Sequence, residues 1–329
     1  AVITNTSLGF EGKLAQVFAK YKTLGAVVCV VENGEISHMY TYGDRDAAGT
    51  PITADTMFQV GSISKMVTAM GVMRLVQDQQ VLLDQDLSEL LGTTVRNASY
   101  PDTPITLRQV MTHTAGFRDS SFYNDALLGN ARPLAQLFGA KLNRYAFVSG
   151  MQPGVKSKYS NFGGGLLGSL LEQVTGESVD DYMSRVLFAP LGIQAAYRGS
   201  RIPEDAVVSD LYQMPKKKLL KTVRLAATDT PMDAQLDYTL TAGKLTISAP
   251  DLAKLVIALC DGGMYENVRV LDENATVQMR TLQNSIGSVT GNSDQGLCMN
   301  IVTDTIVAGR TLYGHGGKAN GMLCAAYFD

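Results

Sequence analysis

The chain has 329 residues, 45% hydrophobic and 18% charged, with a formal net charge of −3. That balance fits a globular chain with a sizeable core, and the absence of a long run of one charge argues against a nucleic-acid surface or a polyanionic partner. No stretch approaches the ~18 consecutive apolar residues of a spanning helix, and Ala1 does not open a charged-then-apolar leader. The expectation is a chain without a membrane span, either cytosolic or with its leader removed.

In chain order, "GAVVCVVENGEISHMYTYGD" predicts a hairpin: a strand over 25–31, a turn at Asn33 and Gly34, and a strand over 35–42. From Ser62 the pattern changes, with Ile63, Met66, Val67, Met70 and Met73 at helical spacing, so one helix face should be buried. Further helices are expected at about 106–113, 163–175 (closed by Gly176) and 179–188. The Lys216, Lys217 and Lys218 cluster reads as a solvated loop. Ser248 and Asp251 are spaced as a capping box ahead of Leu252, Leu255, Val256 and Leu259, and "GLCMNIV", "RTLYGHGG" and "GMLCAAYF" then read as short strands. Strands at both ends with helices between them suggest a sheet lobe built from the two termini, an inserted helical lobe, and a cleft where they meet. No internal repeat or linker divides the chain.

Cysteine and histidine offer little chemistry by spacing. Cys29, Cys260, Cys298 and Cys324 are far apart, show no CxxC pattern and are expected to pack. His38, His113 and His315 form no close pair, which argues against a His-rich zinc site. Three other segments carry more. Ser62 follows Gly61 at the start of a helix, with Lys65 one turn on, on the same side. A serine hydroxyl needs a base to become a nucleophile, and a lysine can be that base once burial lowers its pKa. Serine is also a favoured helix start and lysine a common helix residue, so this pair alone leaves both readings open.

The second segment is Tyr159, Ser160 and Asn161, just before a helix. There the tyrosine could shuttle a proton with Lys65, and Asn161 could bind a substrate amide. Tyr265, Glu266 and Asn267 repeat the spacing in what looks like a turn, so the tripeptide is weak by itself. In the third, His315, Gly316 and Gly317 end a strand. Two glycines let a ligand approach the backbone, where the Lys318 and Ser62 amides could form an oxyanion pair. A glycine-rich turn with a structural histidine is the alternative. Together and in this order, the three segments are what converging parts of one active site require.

With these motifs, the chain resembles the penicillin-recognising serine hydrolases, in the branch shared by class C β-lactamases, low-molecular-mass DD-peptidases, D-aminopeptidases and related esterases. The resemblance runs over nearly the whole chain and includes "VLLDQDLSELLG" (81–92), "ITLRQVMTHTAGF" (105–117), "PGVKSKYSNFGGGLLGSLLEQVTGES" (153–178) and "GKLTISAPDLAKLVIALCDGG" (243–263). It implies a β-lactamase/transpeptidase-like α+β fold, a mainly antiparallel sheet flanked by helices with an all-helical lobe inserted. The sheet lobe would comprise 1–61 and 240–329, the helical lobe 62–239, and the active site the cleft between. By the same resemblance Ser62 would be acylated, and Lys65 with Tyr159 would carry its proton to the leaving group and later activate water. Asn161 would hold the acyl side-chain amide, with His315, Gly316, Gly317 and Lys318 lining the substrate site and the Ser62 and Lys318 amides forming the oxyanion hole. His113 would be structural, in a framework turn, and His38 has no role. No metal or organic cofactor is implied.

Two departures bear on function. Many members carry threonine between the Lys or His and the Gly of the last motif, to grip a substrate carboxylate, and here that residue is Gly316. The change weighs against an efficient β-lactamase or carboxypeptidase. If Lys318 supplies the grip instead, Lys318→Ala should weaken carboxylate-bearing substrates selectively. Relatives also continue beyond the strand at 321–328 with a further strand and a long helix, so a second polypeptide segment or a dimer contact is expected to complete the sheet. The leading expectation is a DD-peptidase or D-amino-acid peptidase on D-alanyl peptides, ahead of an esterase and then a β-lactamase. A penicillin-sensing or peptidoglycan-binding module with little turnover is the alternative of another class. Wall substrates would place the protein outside the cytoplasm of a bacterium: secreted, periplasmic or at the cell surface.

Overall fold

The computed structural model describes residues 9–213, 221–223, 231–283, 294–319 and 321–329. The lysine cluster at 216–218 lies outside the described residues. The described residues open with α1 (Phe10–Lys20), which the sequence reading does not anticipate, and continue into β1 (Gly25–Glu32) and β2 (Glu35–Gly43). Asn33 and Gly34 both have positive φ, the turn that matches the twist of a two-residue hairpin. Phe18 of α1 lies over Tyr40 and Tyr42 of β2, at ring-centroid distances of 6.2 and 5.2 Å, which fixes the helix on the hairpin.

A short strand, β3 (Met57–Gln59), leads through Gly61 into α2 (Ile63–Gln77). This helix is buried nearly all round: Ser64, Lys65 and Thr68 are inside together with Ile63, Met66, Val67, Met70 and Met73. It is the central core helix rather than an amphipathic surface one. Then come α3 (Leu107–Met111), which opens with a Thr106–Gln109 capping box, and α4 (Asn161–Thr175), which packs on both α2 and α3 and stops at Gly176 in the left-handed conformation. Next come α5 (Val179–Met183), continued by a wider turn over Ser184–Phe188, and β4 (Ala195–Ala196).

The chain then passes through α6 (Leu240–Gly243), β5 (Thr246–Ser248), α7 (Ala249–Cys260) and α8 (Glu273–Arg280). Ser248 caps α7 by accepting from the Asp251 amide. β5 sits between β3 and β4 in a small antiparallel sheet that joins the early, middle and late parts of the chain. The last strands are β6 (Asp294–Gln295), β7 (Asn300–Thr303), β8 (Thr311–Ala319) and β9 (Met322–Phe328), antiparallel in that order. Helix α7 packs on both β1 and β9. Among the described residues, the hairpin and this four-stranded sheet are nevertheless separate sheets sharing one helix. The architecture is α+β, with β8 brought alongside the start of α2.

Candidate active site

The turn between β3 and α2 needs its glycine. Gly61 has φ of +52°, and a Cβ there would lie 2.9 Å from the Lys318 amide nitrogen. The turn delivers Ser62 to the head of α2, but the serine makes no side-chain capping bond. Ser64 ties the turn together instead, donating to the Gly61 carbonyl at 2.6 Å and accepting from the Leu245 amide at 3.0 Å. The Ser62 Oγ is thereby left 3.1 Å from Lys65 Nζ and 2.7 Å from the Tyr159 hydroxyl.

Lys65 is fully buried, and burial pulls its pKa down from 10.5 to about 7, against the opposing pull of Cys298 and Asp119. Its Nζ lies 2.5 Å from the Ala242 carbonyl and 2.9 Å from Asn161 Oδ1. A neutral amine in this position donates to both oxygens and keeps its lone pair for the Ser62 proton, so all its hydrogen-bonding capacity is used. Gly164 makes the room, since a Cβ there would come within 2.5 Å of Lys65 Cε.

Tyr159 stands just before Ser160, the N-cap of α4, whose extended backbone turns the tyrosine ring off the helix and over the lysine. Burial raises its pKa well above the usual phenol value, so it is a neutral donor to Ser62 Oγ. The His113 ring packs 4.4 Å from it and the His315 ring 6.3 Å. Burial holds both imidazoles low, at about 3 and about 4, so they support the tyrosine without adding charge. His315 is itself buried, and its Nδ1–H donates to the Gly316 carbonyl at 2.5 Å.

Asn161 has both ends of its amide engaged: Oδ1 faces Lys65, and Nδ2 donates to Asp119 Oδ2 at 2.8 Å. Asp119 also accepts from the Asn161 and Phe162 amides and the Ser160 hydroxyl, so one carboxylate caps α4 and orients Asn161. Asp119 was not anticipated from the sequence, because nothing near residue 119 points to a helix that starts some forty residues later. Asp119→Ala is expected to cost about 1–2 kcal/mol of stability and to lower kcat/KM by about tenfold, one positioning hydrogen bond's worth. Steady-state kinetics beside a denaturant melt check it, and a stability loss with kcat/KM unchanged would reduce Asp119 to a cap.

On the other side of Ser62, β8 closes in through glycine. A Cβ on Gly317 would lie 2.1 Å from the Val60 carbonyl oxygen and 2.5 Å from Cys324 Sγ. Among the described residues no acceptor takes the Ser62 amide proton, and the Lys318 amide nitrogen lies against the same turn. These are the two donors that an oxyanion beside Ser62 would meet. The structure thus gathers Ser62, Lys65, Tyr159, Asn161 and the 315–318 stretch at one place. The repeated Tyr265–Asn267 spacing is a hairpin turn between strands Met264–Tyr265 and Val268–Arg269, with Glu266 at φ +52°. All four cysteines are free thiols, and Cys298 lies near enough to Lys65 to feel its charge.

The beta-lactamase family model matches residues 10–329. The chain belongs to the beta-lactamase family. It is 29% identical over 184 residues to penicillin-binding protein 4 of Amycolatopsis lactamdurans, covering 56% of this chain and 46% of that protein. It is also 29% identical over 190 residues to the D-aminopeptidase of Brucella anthropi, covering 56% of this chain and 35% of that one. The chain therefore spans less than half the length of these curated relatives. The octameric penicillin-binding protein homologue from Pyrococcus abyssi superposes with a TM-score of 0.74 at 23% identity, over 94% of this chain and 67% of that one, a likeness of fold. In this beta-lactamase-family chain, no helix among the described residues is long and apolar enough to cross a membrane.

Proposed function

We propose that the chain is a serine hydrolase that works through an acyl-enzyme on a peptide or amide bearing a D-residue, D-alanyl peptides being the leading class. The observation that carries this reading is the Ser62 hydroxyl, left uncapped and held between a fully buried lysine and a neutral tyrosine. Lys65 takes the Ser62 proton as Oγ attacks the substrate carbonyl carbon, and the charge on the carbonyl oxygen meets the Ser62 and Lys318 amides. Tyr159 hands a proton to the departing amine and is reprotonated from Lys65. Water then attacks the acyl ester, its proton returns through the same pair, and Ser62 Oγ leaves protonated.

The D-residue is supported by the likeness to a D-aminopeptidase and to a penicillin-binding protein, and a wall substrate would place the protein outside the cytoplasm. An esterase is the second reading, favoured by Gly316, which brings no hydroxyl of its own to the substrate site. A panel of a D-alanyl-D-alanine peptide, a D-amino acid amide, an aryl acetate and benzylpenicillin, with L-configured controls, tests the reading. Ser62-dependent hydrolysis of D over L substrates by about tenfold or more, the worth of a well-fitted hydrophobic pocket, is expected. Turnover of the aryl ester alone makes the protein an esterase. Acylation by penicillin without turnover of anything makes it a sensing module.

A further inference from the structure

Strands β8 and β9 pair with Gly314 opposite Tyr327, Gly316 opposite Ala325 and Lys318 opposite Leu323. Opposite residues share a face, so these six form one side of the ribbon, and Lys318, Leu323 and Ala325 are exposed on it. The other side is turned inward. There Gly317 stands against Val60, and Cys324 donates its S–H to the Val60 carbonyl. The outer side has a floor of two small residues, Gly316 and Ala325, with Tyr327 towards one end and Lys318 towards the other.

The glycines of β8 are not equivalent. Gly314 has φ of +154°, with the Ala326 carbonyl oxygen 2.0 Å from where a Cβ would be, and Gly317 is hemmed in by Val60, so neither position tolerates a side chain. Gly316 has neither constraint. A Cβ there would make only ordinary contacts, 3.8 Å from the Cys324 carbonyl oxygen and 3.9 Å from the Tyr327 hydroxyl. The backbone allows a side chain at 316, and the chain leaves open a space overlooked by a phenol.

That phenol is held in place. Its oxygen accepts from Asn300 Nδ2 at 3.3 Å, and Asn300 Oδ1 accepts from Gln295 Nε2 at 2.9 Å. Among the described residues no acceptor takes the Tyr327 proton, so the half-buried hydroxyl has a donor to offer a ligand. The space lies two residues, about 7 Å along the strand, from Lys318, whose amide faces the Ser62 turn.

We infer that Tyr327 is a specificity-determining residue: its hydroxyl donates a hydrogen bond to a carboxylate on the leaving residue of the substrate, in the space Gly316 leaves open. The exposed Lys318 ammonium, on the other flank of the same floor, complements that charge. A phenol to a carboxylate is a charge-assisted bond, and the length of tyrosine lets a neighbouring strand supply it. The inference rests on the reading of Ser62 as the acylated nucleophile.

The test uses one substrate pair, a D-alanyl-D-alanine peptide with a free C-terminal carboxylate and the same peptide as its C-terminal amide. The ratio of kcat/KM, carboxylate over amide, is measured for the wild type, for Tyr327→Phe, and for Tyr327→Phe combined with Gly316→Thr. The Kd ratio for the same pair is measured by calorimetry on Ser62→Ala, alone and with those changes. Tyr327→Phe is expected to lower either ratio by about tenfold or more, the worth of a hydrogen bond to a charged group. Adding Gly316→Thr is expected to return part of it, because a hydroxyl is restored on the floor. A wild-type ratio near one, a ratio unmoved by Tyr327→Phe, or no binding of either peptide to Ser62→Ala overturns the inference. If no substrate is turned over but the Kd ratio still moves with Tyr327, the hydrolase reading fails and the carboxylate subsite stands.

Discussion

Lys65→Met is expected to lower kcat/KM by about 10³-fold, in the range of a lost general base, and to remove the rising limb of the pH profile. The base must be the neutral amine, because only that form has a lone pair for the Ser62 proton. Burial brings its pKa from 10.5 to about 7, so the neutral fraction, and with it kcat/KM, rises with pH to a plateau whose midpoint is about 7. An amine at its ordinary value would place that midpoint more than three units higher. His113 and His315 do not account for such a limb, since burial keeps both neutral from about 3 and about 4 upward. A profile flat from pH 5 to 9, or a limb that survives in Lys65→Met, contradicts the assignment.

The second large effect is on stability. Arg198→Met is expected to destabilise the fold by about 3–5 kcal/mol, the cost of leaving buried charges unpaired. The Arg198 guanidinium is buried against Glu172, Asp180 and Asp237, with contacts of 2.9, 3.1 and 2.5 Å. These carboxylates belong to α4, to α5 and to the segment entering α6, and α6 carries the Ala242 carbonyl that holds Lys65. Burial already raises the Glu172 carboxyl from 4.5 to about 7. Its folded pKa is above its unfolded one, so the stability it contributes is complete below 4.5 and is lost as pH rises through about 7. Without Arg198 the carboxylates hold their protons more tightly still. The deficit in denaturant midpoint should therefore be smaller at pH 5 than at pH 8. Equal deficits, or a loss below about 1 kcal/mol at pH 8, a surface-pair value, would show that the cluster does not act as a buried one.

Much of this molecule was legible in its sequence, for reasons that differ by residue. The hairpin at 25–43 and the stop at Gly176 follow from residues that tolerate positive φ, a local requirement. The helix after Ser62 follows from its apolar spacing, but its burial on every side depends on partners that periodicity does not reveal. Helix α1 was missed although Phe10, Leu14, Val17 and Phe18 recur at helical spacing, so the signal was present in the chain. The Ser62 segment, the Tyr159 segment and the 315–318 stretch are each ambiguous alone, and their joint occurrence carries the reading. What sequence could not supply was long-range: the Asp119 carboxylate across some forty residues, the Ala242 carbonyl that any residue type would provide, and the Tyr327 hydroxyl over Gly316. Backbone carbonyls and contacts between distant loops leave no residue-type signature, and a glycine demanded by backbone looks the same in sequence as one that leaves space.

The most direct measurement is intact-protein mass spectrometry of the wild type and Ser62→Ala after adding benzylpenicillin and, separately, an aryl ester of D-alanine. The structure predicts a covalent adduct on the wild type with at least one of the two reagents, mapping to the peptide that contains Ser62, and none on Ser62→Ala. An unmodified wild type with both reagents, or an adduct of equal yield on Ser62→Ala, would contradict the assignment of Ser62 as the nucleophile.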